Sequence, residues 1–152
     1  MIEGVEVKEL VGHADDRQVF REIMRASDGI FREGFGQLSY ALMHPGTAKA
    51  WHVHQRQVDW WYVPSGALRL ALYDTRPASP TLGQIDEFLL GPEYGHKVVR
   101  IPPGVAHGCR VIGGTTQLFY VTSREYDASD EGRLAHDDPE IGYDWNRGPD
   151  IK

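Results

Sequence analysis

The sequence predicts an all-β domain, an antiparallel barrel or jelly roll, on three observations. Short runs rich in Val, Leu, Tyr and Trp recur between Gly, Pro and Asp breaks, the pattern of many short strands joined by closely spaced turns. Helical periodicity with caps appears nowhere at convincing length. The 152 residues, 41% of them hydrophobic, give one domain a real core and are too few for two.

Strands are expected at 36–43, 58–63, 67–73, 87–90, 97–101, 109–112 and 117–122. Gly34-Phe35-Gly36 reads as a turn before the first of them. Gly113-Gly114 lies between the last two and tolerates the positive φ of a tight hairpin, so 117–122 is expected antiparallel to 109–112. Residues 15–25 are the best helical candidate, yet Val19, Phe20, Ile23 and Met24 fit a strand or a single helical turn equally. From Asp127 onward, Asp, Glu, Gly and Pro interleave with Leu134, Ile141, Tyr143 and Trp145. That tail, 127–152, reads as a loop wrapped over the barrel. No internal repeat, low-complexity segment or linker interrupts the single domain, 1–152.

Charge and cysteine content exclude several roles. Sixteen basic against 22 acidic residues leave a net charge of −6, which argues against nucleic-acid or anionic-membrane binding, where a basic face supplies affinity. No run approaches the roughly 20 apolar residues of a membrane span, and no signal peptide is evident. Cys109 is the one cysteine, so no intrachain disulfide forms and the expected compartment is the cytoplasm.

Four residues carry the chemistry. His52 and His54 are two apart, so on a strand they face a common side while Val53 faces the other. Asp59 has the opposite parity, which requires a turn or bulge through Gln55 to Gln57; beyond it Asp59, Trp61 and Val63 share a face. Pro102-Pro103-Gly104 makes a rigid turn that delivers His107 to the same barrel mouth. Two readings stand. The histidines line the barrel, satisfied by hydrogen bonds, with Asp59 pairing one of them. Alternatively His52, His54, Asp59 and His107 ligate a divalent ion, which relieves the cost of burying a carboxylate among imidazoles; that N/O set suits Zn, Fe, Mn or Ni.

The spacing Gly46, five residues, His52-Val53-His54, four residues, Asp59, six residues, Gly66 resembles the first cupin motif with Asp for its usual Glu. Pro102-Pro103-Gly104-Val105-Ala106-His107 resembles the centre of the second, although Val111 stands where that motif closes with Asn. The resemblance implies a cupin jelly-roll barrel of antiparallel strands. Most of the chain, from Asp15 to Trp145, is further similar to the dTDP-4-dehydrorhamnose 3,5-epimerases. The similarity rests on Asp16-Arg17-Gln18-Val19-Phe20-Arg21-Glu22, on Ile101 to Gly108 with Val105 for the family's Phe, on Leu118 to Pro139 with its tyrosines and Asp-Asp-Pro, and on Gly142-Tyr143-Asp144-Trp145.

Carried over position by position, the resemblance makes His52 the general base and Tyr126 the general acid, with His107 at the second catalytic histidine. It makes Arg17, Phe20, Glu22 and Lys49 the residues that hold nucleotide and phosphate. It implies a homodimer in which the N-terminal segment, 1–30, packs on the partner subunit and reaches its site. The reaction, epimerisation beside a ketone, removes an acidic C–H proton and returns one to the opposite face, which needs an acid and a base on opposite sides and no cofactor. This chain departs from the pattern at His54, where relatives carry Gln, at Asp59, where they carry a lysine, at Lys49 for an arginine, and at Ser39 and Ala41 for Asn and Ser. Asp150 is too weakly matched to stand for the aspartate that pairs with the family's base.

Together His54 and Asp59 remove a lysine and create a ligand set, so a divalent ion would replace the lysine as electrophile. A metal-bound His52 would then leave proton transfer to Tyr126 or His107. The first expectation is a nucleotide-sugar epimerase acting on a dTDP-4-keto-6-deoxyhexose or similar ketosugar. The rivals are a metal-dependent cupin oxygenase or isomerase of another small molecule, and a sugar-binding cupin without catalysis. Trp51, Trp60, Trp61 and Tyr62 either stack on a ligand or pack the core, with Trp60 and Trp61 facing opposite ways. Arg17, Lys49, Lys97 and Arg100 either form a diphosphate cluster or remain separate surface charges. His13, His44, His96 and His136 are expected to be surface or structural.

Overall fold

A computed structural model describes residues 1–149 and 151; Asp150 lies outside the described residues. Twelve strands follow in order: β1 (Glu6–Glu9), β2 (His13–Ala14), β3 (Val19–Phe20), β4 (Gln37–Met43), β5 (Ala48–Val53), β6 (Asp59–Ser65), β7 (Leu68–Asp74), β8 (Ile85–Leu90), β9 (Lys97–Ile101), β10 (Val105–Val111), β11 (Thr116–Thr122) and β12 (Gly132–Arg133). Single 3₁₀ turns at Gly29–Phe31, Pro92–Tyr94 and Ala128–Asp130 are the helical elements among the described residues. The all-β expectation is borne out.

Two five-stranded antiparallel sheets face each other, one in the order β1-β9-β6-β11-β4 and the other β12-β5-β10-β7-β8. Alternation sets the core between them. Leu68, Leu70 and Leu72 of β7 point inward to Trp61, Val63, Val99, Ile101, Val105 and Leu118, as the two-residue period of a strand requires. The opposite faces are also covered. Ala71 of β7 and Ala106 of β10 join Trp51 and Val53 beneath Ile141 and Trp145 of the tail, whereas Val58, Trp60, Tyr62 and Val98 pack around Phe31. Trp60 and Trp61 thus do face opposite ways. Trp145 meets Trp51 edge-on at 4.8 Å and Tyr143 at 4.4 Å. Burying a ring of that size removes roughly 150–250 Å² from water, about 4–6 kcal/mol gross, enough to hold an otherwise irregular tail.

One expectation is corrected, and one open reading is resolved in favour of strand. Residues 109–112 and 117–122 do not form a hairpin. β10 lies between β5 and β7, and β11 between β4 and β6, so both edges of each strand are filled by other neighbours. Gly113-Gly114 therefore crosses from one sheet to the other, and neither glycine has a positive φ. Residues 15–25 contain no helix: β2 and β3 pair as a two-stranded ribbon, closed by an Asp15 side chain that accepts the Arg17 and Gln18 amides at 2.8 and 3.2 Å. Local side-chain acceptance of this kind competes with helix formation.

The first ten residues are built into the barrel. β1 pairs with β9, and Ile2 and Val5 are buried in the core. Their anchor is Asp74, fully buried at the end of β7. Its carboxylate accepts from Arg76 Nε and Nη2, both at 2.8 Å, and from Ser79 Oγ and Thr81 Oγ1, both at 2.6 Å; Arg76 Nη2 also reaches the Glu3 carbonyl at 2.7 Å. Gly104 lies over this arginine with φ +76° and no room for a side chain: a Cβ there would sit 2.5 Å from Arg76 Cγ. Burial alone raises the Asp74 carboxyl, but the donors outweigh it and hold it well below the usual carboxylate range.

A carboxyl depressed in the folded state stabilises fully above its ordinary value near 4 and progressively less as pH falls toward its folded value. Asp74→Asn should therefore lose about 2–3 kcal/mol at neutral pH in chemical denaturation, and the gap to the wild-type protein should narrow below about pH 4. An undiminished gap in acid would show that the charge is not what stabilises.

Candidate active site

The two sheets open at one end into a cleft lined by Lys49, His52, His54, Asp59, His107 and Tyr126, with Gln37, Trp61, Tyr120 and Glu131 around them. His52 lies on β5 and pairs in register with His107 on β10. Their rings are nearly parallel, 21° apart, with centroids 6.2 Å apart. Trp51 and Val53 between and beside the β5 imidazoles face the tail, so strand alternation aims His52 and His54 into the barrel.

Asp59 belongs to the opposite sheet, and the chain must cross the barrel within four residues to reach it from His54. A buried carboxylate of the tail holds that crossing. Asp130 Oδ1 accepts the Gln55 and Arg56 amides at 2.9 and 3.1 Å, and Oδ2 accepts the Gln57 amide at 3.1 Å. The expected turn through Gln55 to Gln57 is therefore present, and Trp61 and Val63 follow Asp59 on the inward face. The Asp130 carbonyl also lies 3.1 Å from His54 Nδ1. Nothing in the sequence singled out Asp130, because its partners are backbone amides more than seventy residues away.

Asp59 and His107 are both buried. Asp59 Oδ1 accepts Gln57 Nε2 at 2.7 Å, Oδ2 accepts Trp61 Nε1 at 3.3 Å, and His107 Nε2 stands 3.8 Å from Oδ2. His107 Nδ1 faces the Val105 carbonyl at 3.3 Å. Burial pushes His107 below the ordinary imidazole range against the pull of Asp59. His52 is also lowered, first by burial, with Arg133, His54 and Lys49 acting the same way and Glu131 opposing. Both imidazoles are thereby favoured as neutral bases at pH 7. Cys109 beneath them is buried, its thiol pushed up to about 12, so it is a core residue and no nucleophile.

Of the four expected metal donors, three converge: one donor atom each from His54, Asp59 and His107, all within 4.8 Å of one another. His52 stands outside the group, its ring lying nearly parallel to that of His107. Tyr126 is exposed at the rim, its amide held by Gln37 Oε1 at 2.9 Å; this positioning glutamine was also missed in the sequence, since only register places it there. Arg17, Phe20 and Glu22 do not reach the cleft of their own chain. They are exposed on and beside the β2–β3 ribbon, Arg17 paired with Asp15 and Glu22 with Arg25.

The four-cation cluster does not form within one chain. Lys49 lines the cleft, but Arg100 is buried against Glu33 and Glu6 and Lys97 sits on β9 beside Glu9 in the strand pairing. His96, expected to be structural, meets the Tyr62 hydroxyl at 3.0 Å.

Asp130→Ala would strip three partly buried amides of their acceptor and free the crossing. It should cost about 1–3 kcal/mol in stability and lower activity further than that loss of folded protein accounts for, whereas Asp130→Asn, which keeps one acceptor, should recover part of both. Equal activity per folded molecule in Asp130→Ala would refute the positioning role.

The same fold and sequence pattern occur in known proteins. The spore coat polysaccharide biosynthesis protein SpsL of Bacillus subtilis is 43% identical over 149 residues, 96% of this chain and 97% of that protein. The crystal structure of a dTDP sugar isomerase from Desulfovibrio desulfuricans superposes with a TM-score of 0.87 at 28% identity, covering 95% of this chain and 92% of that one. An epimerase of Legionella pneumophila, solved with dTDP-4-keto-L-rhamnose, gives a TM-score of 0.86 at 25% identity over 99% of this chain and 83% of that one. The family model for dTDP-4-dehydrorhamnose 3,5-epimerase matches residues 1–152, and the chain belongs to that family.

Proposed function

We propose that this isomerase epimerises a dTDP-4-keto-6-deoxyhexose or a closely similar ketosugar nucleotide, with His52 as base and Tyr126 as acid. The observation that carries the reading is the placement of a burial-lowered imidazole inside the cleft with a phenol at its rim. His52 takes the proton from the carbon beside the ketone, and the electron pair moves onto the carbonyl oxygen as an enolate. Tyr126 returns a proton to the opposite face, which inverts the centre. Proton transfer between side chains and substrate needs no cofactor, which is why the family reaction proceeds without one. Family membership favours this reading over an oxygenase or a non-catalytic sugar-binding cupin.

His52→Asn should lower solvent deuterium incorporation at C3 or C5 of a 4-ketosugar nucleotide by about 10²–10⁴-fold while dTDP still raises the melting temperature. Tyr126→Phe should retain exchange and lose the inverted product. Wild-type protein that binds dTDP and exchanges no deuterium would instead be a binding module.

The nucleotide contacts are proposed to come from a second copy. Val19, Phe20 and Ile23 near the ribbon, and Leu38, Tyr40 and Leu42 on the outer face of β4, are exposed apolar side chains of the kind a homodimer covers. In that dimer Arg17, Phe20 and Glu22 act on the partner's cleft, with Lys49 as the cleft's own phosphate contact. Refolding an equal mixture of His52→Asn and Arg17→Ala chains should restore activity, because a mixed dimer holds one site with both residues intact; no recovery would place Arg17 in its own chain's site. A single buried thiol suits work in the cytoplasm, and no described helix is long and apolar enough to cross a membrane.

A further inference from the structure

A backbone carbonyl oxygen can only accept a hydrogen bond. His54 Nδ1 faces the Asp130 carbonyl at 3.1 Å and His107 Nδ1 faces the Val105 carbonyl at 3.3 Å, so in both rings the proton belongs on Nδ1. In a neutral imidazole that leaves Nε2 with a bare lone pair. His107 Nε2, the ring atom left to ligate, lies 3.8 Å from Asp59 Oδ2.

His54, Asp59 and His107 each present one donor atom to a common point, all within 4.8 Å. The Asp59 carboxylate accepts only from the neutral Gln57 amide and Trp61 indole, and among the described residues no Lys or Arg pairs with it. A single water has two protons for three lone pairs and no charge for the carboxylate; a divalent cation supplies both. Two donors about 2.1 Å from one ion at a tetrahedral angle lie roughly 3.4 Å apart; His107 and Asp59 are at 3.8 Å, and the set as a whole, within 4.8 Å, would draw in around an ion. Imidazoles oriented through Nδ1 onto backbone carbonyls are also what metal-binding histidines require.

We infer that His54, Asp59 and His107 form a three-ligand divalent metal site at the floor of the cleft, from which His52 is excluded. The separation of His52 on β5 from His54, one residue past its end, is the substance of the inference. His54 ligates and His52, stacked beside His107, stays free to move a proton. Three protein ligands leave coordination positions facing the cleft, as in sites that act on substrate. When bound, the ion would supply the positive charge that a developing enolate oxygen needs. That role rests on the epimerase reading; the site itself does not. The N₂O set suits Zn, Fe, Mn or Ni.

The test offers Zn(II), Mn(II), Ni(II) and Fe(II) separately to full-length protein prepared without chelator, removes unbound ion by desalting, and measures metal by mass spectrometry. About one equivalent of at least one ion is expected. His54→Gln and Asp59→Asn should each weaken binding by at least the roughly 10–100-fold that loss of an outer partner costs, and His52→Asn should bind as the wild type does. Circular dichroism establishes that each variant folds; should Asp59→Asn fail, His54→Gln decides, because that ring lies partly exposed at the cleft wall. Less than about a tenth of an equivalent with every ion overturns the site, as does undiminished binding by both variants, and loss on His52→Asn overturns the exclusion of that residue. Deuterium exchange undiminished without metal would sink the ion's catalytic role and leave the epimerase intact. Metal held by these three residues without exchange would support the site and sink the epimerase reading.

Discussion

The Asp130 carboxylate takes three consecutive amides, those of Gln55, Arg56 and Gln57, at the point where the chain leaves one sheet and enters the other. Without such an acceptor these partly buried donors would together cost about 1–3 kcal/mol, and the chain would satisfy them by a longer, solvated loop. The short crossing is what sets His54 at the end of β5 against Asp59 at the start of β6. The geometry of the cleft floor therefore depends on a residue that touches none of the reacting atoms. Its own placement depends on the tail: Asp127 caps the turn through Ser129, and Arg56 pairs with Asp127 at 2.8 Å. Tail, crossing and cleft are one mechanical unit.

The tail is held from the other side by packing. Trp145 and Ile141 lie over Trp51, Val53, Ala71 and Ala106, and Gly108 beside His107 leaves the gap the indole fills: a Cβ there would come within 2.6 Å of the Trp145 ring. The wall that carries His52 and His107 is thus packed on its outer face while its inner face opens to the cleft. Close-packed side chains on both faces limit how far the strand can shift, which is what a site built to hold its groups still requires.

Much of this was legible in the sequence because it follows from local alternation. The strands at 97–101 and 117–122 lie within a residue of the observed β9 and β11, since Val and Leu runs between breakers admit few other readings. His52 and His54 facing one side, and Asp59 recovering that side after a turn, followed from the two-residue period alone. Partner choice between strands did not follow. Gly113-Gly114 carries a hairpin signature, yet β7 and β6 fill the edges on which a β10–β11 pairing would depend, and a dipeptide carries no information about distant strands. The ligand set was too large in the same way: four residues suggested four donors, but only His54, Asp59 and His107 converge, with the His52 ring lying beside that of His107. Asp130 was invisible because its role is written in backbone amides.

The charge balance of the cleft gives these pieces a common logic. One lysine, Lys49, lines it against three carboxylates, Asp59, Asp127 and Glu131. Asp127 is answered by Arg56, so Asp59 and Glu131 remain against Lys49, an unfavourable field for a sugar carrying a diphosphate. A divalent cation bound at the proposed site between His54, Asp59 and His107 would reverse that sign at the floor, where charge would develop during proton transfer. Arg17 arriving from a second copy would act at the mouth, where the phosphates bind. The two additions serve different ends of one ligand. Charges placed at the two ends of the cleft would orient as well as attract, and in the proposed reaction it is orientation that would present one C–H bond to His52 and the opposite face to Tyr126.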